Sequence, residues 1–191
     1  VTDPSNGTVT LADGVVTYTP TADYNGDDSF TYTVSDGTET ATGTISVTVT
    51  AVNDAPTASA GSIATSEDTA KKIDLSTLSS DIDGDTLTFT VTDPSNGTVT
   101  LADGVVTYTP TADYNGDDSF TYTVGDGTET ATGTISVTVT AVNDAPTASA
   151  GSIATTEDTA KKIDLSTLSS DIDGDTLTFT VTDPSNGTVT L

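Results

Sequence analysis

Repetition constrains this chain more than any other feature of it. Val1–Leu11 reappears unchanged as Val91–Leu101 and again as Val181–Leu191, a spacing of about 90 residues that marks a tandem array. Only Ser35 against Gly125 and Ser66 against Thr156 distinguish the copies. Two periods and a short overhang cannot make one large domain. They predict a window on a longer array of modules, each with its own core.

The cut between modules follows from Val142-Asn143-Asp144-Ala145-Pro146 and its earlier copy Val52-Asn53-Asp54-Ala55-Pro56. Proline has no amide hydrogen to give a central strand and holds the residue before it extended, so each stretch reads as a linker. Residues 53–142 are then one complete module. Residues 1–52 are the C-terminal part of a module, carrying strands D–G, and residues 143–191 are the N-terminal part of another, carrying strands A–D.

Inside the complete module short apolar-threonine alternations follow one another with turn signals between them, the pattern of an all-β sandwich. Seven strands are predicted. These are A (57–64), B (70–75), C (86–92), D (97–101), E (105–109), F (119–124) and G (130–141). Alternation points Leu87, Phe89, Val91, Tyr108, Phe120, Tyr122, Val124, Ile135, Val137 and Val139 inward. Ala102-Asp103-Gly104 joins D to E. The fold class is thus all-β, with seven-strand sandwiches of the Ig-like or cadherin-like kind joined end to end.

Charge narrows the function. There are 4 Lys and Arg against 29 Asp and Glu, giving a formal net charge of −25, with no His, Cys, Met or Trp. Such a surface repels phosphates, so nucleic acid is not an expected partner. Without cysteine, stability must come from burial, closed turns or bound metal. No apolar run reaches the ~20 residues that cross a bilayer, so membrane insertion is not expected. Catalysis is not expected either, because carboxylate pairs alone would need a cleft that a narrow sandwich seldom provides. Lys71, Lys72, Lys161 and Lys162 read as a solubilising strand edge.

The acidic residues are not scattered. In a walk through seven strands the AB, CD and EF loops fall where strand G leaves, and the BC, DE and FG loops fall where strand A begins. Around the second linker this gathers Glu67 and Asp68 from AB, Asp113, Asn115, Asp117 and Asp118 from EF, and Asn143 and Asp144 from the linker itself. The following module adds Asp171, Asp173 and Asp175. Asp93 and Asn96 lie nearby, and Asp113 and Asn115 read as turn residues. Around the first linker the corresponding set is Asn53, Asp54, Asp81, Asp83, Asp85, Asp27 and Asp28, without counterparts of Glu67 and Asp68. Asp36 and Asp126, in the FG turns, are further candidates.

A set of hard oxygens with no His or Cys suits Ca²⁺ and not zinc or copper. Two carboxylates about 4 Å apart repel by roughly 4 kcal/mol at an effective dielectric near 20, so such a junction needs a cation to close. Neither acidic loop is an EF-hand, since the glycine comes at the fourth position and no helices flank it. Each could equally be a solvated turn whose Asp and Asn bond their own backbone.

The linker Asn143-Asp144-Ala145-Pro146, the pair Glu67-Asp68, the pair Asp171 and Asp173, and the run from Tyr108 to Tyr122 together resemble the cadherin-like and VCBS-type repeats of giant, RTX-type bacterial surface adhesins. The resemblance covers the whole chain. It implies an extracellular Ig-like module at a bacterial cell surface, with calcium between domains and Asn143 and Asp144 in the place of the cadherin linker's Asp-Asn motif.

The function expected is a structural extender repeat, rigidified by interdomain calcium, whose partners are neighbouring modules of the same array. The alternative is an adhesive module that binds another copy or a glycan. One form of it is head-to-tail assembly in which the tail of one chain supplies strands the head of another lacks. Asn6, Asn96 and Asn186 each begin an Asn-Gly-Thr that matches a glycosylation acceptor, and the tight-turn reading of Asn-Gly is preferred.

Overall fold

The computed structural model describes residues 1–191. The chain is all-β, with two 3₁₀ turns, Leu75–Leu78 and Leu165–Leu168. Residues 1–52, the head segment, hold β1 (Gly7–Ala12), β2 (Val15–Pro20), β3 (Gly26–Ser35) and β4 (Thr40–Val49). These form two separate hairpins, β1 with β2 and β3 with β4. The first closes through Asp13 and Gly14, at φ of 49° and 80°. Two successive left-handed residues make the tight turn that matches strand twist, and Asp-Gly is the pair that tolerates it.

The complete module holds β5 (Thr57–Ala58), β6 (Gly61–Ser66), β7 (Lys71–Asp74), β8 (Ser79–Ser80), β9 (Thr88–Val91), β10 (Gly97–Ala102), β11 (Val105–Pro110), β12 (Gly116–Gly125) and β13 (Thr130–Thr140). One sheet runs β10-β11-β7 and the other β6-β13-β12-β9. Strands B to G fall where the alternation puts them, within a few residues at each end. Strand A does not run as one piece. It breaks at Ser59-Ala60 into β5, which pairs antiparallel with β8, and β6, which pairs parallel with β13 from Ile135↔Gly61 to Thr140↔Ser66. The sequence from Leu75 to Leu78 also leaves strand B early, as a 3₁₀ turn that buries Leu75 completely.

Residues 143–191, the tail segment, keep only β14 (Thr147–Ala148), β15 (Ser169–Ser170) and the second 3₁₀ turn. Four strands were expected here. In the complete module strand A takes its partner from β13 and strand B from β11, and the tail has no equivalent of either. A strand without a neighbour leaves its backbone groups to water and gains nothing from extension.

By internal packing the chain divides into two compact units, one of Val1–Ser59, Leu75–Thr90 and Tyr122–Gly133, the other of Ala60–Asp74, Val91–Thr121 and Thr134–Leu191. The first linker lies in the first unit and the second linker in the second. The first unit buries Phe30, Leu75, Tyr122 and Val124, and the second buries Ile63, Val106, Tyr108, Phe120, Ile135, Val137 and Val139. Tyr108 and Phe120 stack at 6.5 Å between ring centroids. Gly97 is required beside them: a side chain there would meet the Thr109 carbonyl at 2.6 Å and the Tyr108 ring at 2.8 Å. The Asn96-Gly97 pair, expected as a tight turn, serves this close approach instead.

Candidate metal centre

The second linker carries the richer site, all of it within the second unit. As β13 ends, the Thr140 carbonyl accepts from the Glu67 amide at 3.0 Å, and the Val142 amide donates to the Glu67 carboxylate. Glu67 is the one buried charged side chain of the chain. Burying a carboxylate is costly unless it is paired, so its position is fixed by that amide and by what surrounds it. Asp68 follows in the left-handed region at φ 57°, a conformation Asp tolerates better than most residues. This tight turn aims its carboxylate at the next loop, where it accepts from the Asp113 amide at 3.3 Å.

From the far side of the linker, Asp144 donates its amide to Asp173 at 2.7 Å. Carboxylate oxygens of Glu67, Asp144 and Asp173 then lie within 4.8 Å of one another, as do those of Asp68, Asp113 and Asp144, and those of Asp171, Asp173 and Asp175. Asp144 belongs to two of these sets and Asp173 to two. Burial, and then the charges of Asp173, Asp113, Glu67 and Asp68, hold the Asp144 pKa above the ordinary carboxylate value. Each of those neighbours opposes its ionisation.

The first linker repeats part of this within the first unit. Asp54 donates its amide to Asp83 at 2.8 Å, and Asn53 donates to Asp126 at 3.0 Å and to Glu129 at 3.4 Å. Asp81, Asp83 and Asp85 form their own acidic set. Asp81 Oδ1 accepts from the Asp83 and Asp85 amides at 3.0 and 3.2 Å, whereas Asp81 Oδ2 is buried with no hydrogen-bond partner. A buried carboxylate oxygen without a donor suits a cation, so the donor set fits a hard metal ion such as Ca²⁺. Burial, and then Asp23, Asp83, Asp81 and Glu129, raise the Asp54 pKa.

Sixteen positions were read as ligands, and they separate here. Glu67, Asp68, Asp144, Asp171, Asp173 and Asp175 come together at the second linker, and Asp54, Asp81, Asp83 and Asp85 meet at the first. Asn143 turns its amide onto the Asp144 carbonyl at 2.8 Å. Asp118 is placed differently: its carboxylate accepts from the Ser95, Asn96 and Ser119 amides and from the Tyr108 hydroxyl at 2.8 to 3.2 Å. Asp28 repeats this with Ser5, Asn6, Ser29 and Tyr18. Burial works against the Asp28 charge, but those donors outweigh it and lower its pKa. Both carboxylates are internal struts that tie loop to strand. Asp117 and Asp27 accept from Thr138 and Thr48 on the neighbouring strands and stand outside the acidic sets.

Asp113, which the loop order places at this end of the module but which reads in the sequence as a turn residue fixing the loop, joins the acidic set with Asp68 and Asp144. The same loop bookkeeping that placed Glu67 and Asp68 placed the EF loop beside them. Asp113 shares with Asp68 the left-handed backbone, at φ 59°, so both loops turn their carboxylates from matching tight turns.

The bacterial Ig domain family model matches residues 1–48, 53–138 and 143–191. The chain belongs to that family. Bacterial Ig domains are a non-catalytic, typically surface-exposed domain type, and this one has no helix long and apolar enough to cross a membrane. No curated protein sequence matches this bacterial Ig chain. Among solved structures, an endo-fucoidan hydrolase of glycoside hydrolase family 107 is 27% identical over 73% of this chain and 23% of its own, with a TM-score of 0.39. Domains 4 and 5 of the S-layer protein SbsC are 20% identical over 73% of this chain and 71% of theirs, TM-score 0.30. The titin domains z1z2 in complex with telethonin are 14% identical over 72% and 74%, also at 0.30. The bacterial Ig chain thus spans about a quarter of the length of the hydrolase, and likenesses at these scores carry no statement about activity or partners.

Proposed function

We propose that this chain is a spacer segment of a bacterial surface adhesin, in which tandem Ig modules are extended and stiffened by calcium held at the linkers. The observation that carries this reading is the meeting of five carboxylates, Glu67, Asp68, Asp113, Asp144 and Asp173, from the AB turn, the EF loop, the linker and the following module. Near-identity of the copies suits a spacer, since a specialised binding surface is needed only once. Calcium would neutralise charges that otherwise push the linker open. Glu67 and Asp68 would hold it from one side, Asp173 from the other, and Asp144 would bridge them. The same residues already orient one another through the amides of Val142, Asp113 and Asp144.

Isothermal calorimetry on the whole chain tests this. Calcium is expected to bind with a Kd of about 10⁻⁴ to 10⁻³ M, the range of extracellular modules. Asp144→Ala should remove the tightest phase, because it takes one member from two acidic sets at once. An unchanged isotherm in that variant overturns the reading.

A further inference from the structure

We propose that Asn53 is a positioning residue that seats the first linker on the FG turn of the complete module, through a contact made between protein groups alone. Its side-chain nitrogen lies 3.0 Å from Asp126 Oδ2 and 3.4 Å from Glu129 Oε2. Of the two ends of a carboxamide only the nitrogen donates, so only that end can face two carboxylates. The sequence reads Asn53 as a metal ligand; its nitrogen end serves the protein instead. The side chain is half-buried among Asp54, Asp126 and Glu129, and it brings donors to that acidic neighbourhood without bringing charge. An aspartate in its place would add one more like charge to the group.

The FG turn is built to receive this donor. Asp126 Oδ1 accepts from the Thr128 and Glu129 amides at 2.6 and 2.7 Å, and the Asp126 amide donates to the Glu129 carbonyl at 3.3 Å. Gly127 takes φ 105° at the tip, a conformation that other residues rarely adopt. One carboxylate oxygen of Asp126 thus makes the turn, and the other is left for Asn53. The base of the turn is held as well, because the Thr88 hydroxyl on β9 donates to the Gly125 carbonyl at 3.1 Å. Asp36 builds the same turn, its Oδ1 accepting from the Thr38 and Glu39 amides at 2.8 Å each, so the seat folds from its own local bonds.

A second tie lies one residue on. The Asp54 amide donates to Asp83 at 2.8 Å, and the second linker repeats this from Asp144 to Asp173 at 2.7 Å. Direct hydrogen bonds therefore tie each linker to the BC loop that follows it, and Asn53 adds the FG turn. Toward the module before it, the second linker has one such bond, from the Val142 amide to Glu67. The rest of that side is carboxylate facing carboxylate, Asp144 against Asp68 and Asp113, and two acceptors cannot bond each other. The linker is thus carried by the module after it. The work left to an ion is the joint with the module before it, a consequence that rests on the calcium reading.

Dipolar electron paramagnetic resonance between spin labels at Val52→Cys and Thr128→Cys tests the seat on the whole chain, which has no cysteine of its own and exposes both positions. In EDTA the labels should give a single narrow distance distribution, and Asn53→Ala should broaden it several-fold. Asn53→Asp should broaden it too. Combining Asn53→Asp with Asp126→Asn should narrow it again, because amide and carboxylate have then changed places and the bond between them can reform. A merely structural loss at either position would not be rescued by the exchange. A distribution already broad in EDTA with Asn53 in place, one that Asn53→Ala leaves narrow, or an exchange that stays broad overturns the seat. None of these outcomes touches the calcium reading, which the Asp144→Ala isotherm decides by itself.

Discussion

Single carboxylates in this chain do opposite things according to which donors reach them. Asp118 accepts four hydrogen bonds and ties the CD loop to β12 and to Tyr108, whose own pKa is pushed up by burial and by that carboxylate. Asp118→Ala should therefore lower stability by about 1–3 kcal/mol, since charged hydrogen bonds are lost and their donors stranded, yet leave calcium affinity within twofold. Calorimetry and thermal denaturation of the one variant check both halves. Asp144 behaves the other way. A pKa raised in the folded state means that folding favours the protonated acid, so its contribution is present below the ordinary carboxylate value of 3.8 and is lost as pH rises through the raised pKa. In EDTA, thermal stability should fall as pH climbs through that window, and Asp144→Asn should flatten the fall. With saturating calcium the ionised acid is the form that binds, and the slope should reverse. Asp117 and Asp118 are adjacent and chemically identical in the sequence. Only the pleat of β12, which sends one toward Thr138 and the other toward Tyr108, separates a surface acceptor from a strut.

Elements were legible wherever a strand's partner lies nearby in the chain. The Asp103-Gly104 turn and the alternation of β12 and β13 announce themselves because hairpin geometry is local. Strand A was not, because its break at Ser59-Ala60 is imposed by two distant partners, β8 and β13, and nothing in Thr57–Ser66 records that it must change neighbours. The burial of Leu75 in a 3₁₀ turn is hidden for the same reason. Likewise the ends of the sandwich could be assigned by counting strands, which is why the AB turn, the EF loop and the linker came out together, whereas which EF carboxylate joins the set, Asp113 and not Asp117 or Asp118, needed the backbone direction of its turn. Close packing against Tyr122 gives an element-scale test. A side chain at Gly133 would meet the Tyr122 ring at 2.4 Å and the Ser59 carbonyl at 2.9 Å. Gly133→Ala should cost about 1–3 kcal/mol through overpacking, or about 4–8 °C in Tm per kcal/mol for a module of this size. At Gly43 the three nearest atoms all belong to the Tyr32 ring, which is exposed. In dilute solution Gly43→Ala should leave the main melting transition unmoved.

For the whole molecule the dominant quantity is charge, −25 over 191 residues. Monovalent salt screens such charge, with a Debye length of about 8 Å at 0.15 M, but it cannot bridge carboxylates that lie within 4.8 Å of one another. Small-angle scattering should therefore show that calcium at millimolar concentration increases the maximum dimension and narrows its distribution, and that sodium chloride at equal ionic strength does not. Equal effects of the two salts would remove the basis for a calcium spacer.

The parallel pairing of β6 with β13 bears on how such a spacer carries load. A pull on the two ends of the middle module draws these strands in opposite directions along their common axis. All the pairs from Ile135↔Gly61 to Thr140↔Ser66 are then stressed together in shear, whereas a hairpin such as β10 with β11, pulled at its open end, yields one pair at a time. Once the short β5 has parted from β8, the resistance to tension therefore comes from β6, the second piece of the strand that the alternation draws as one.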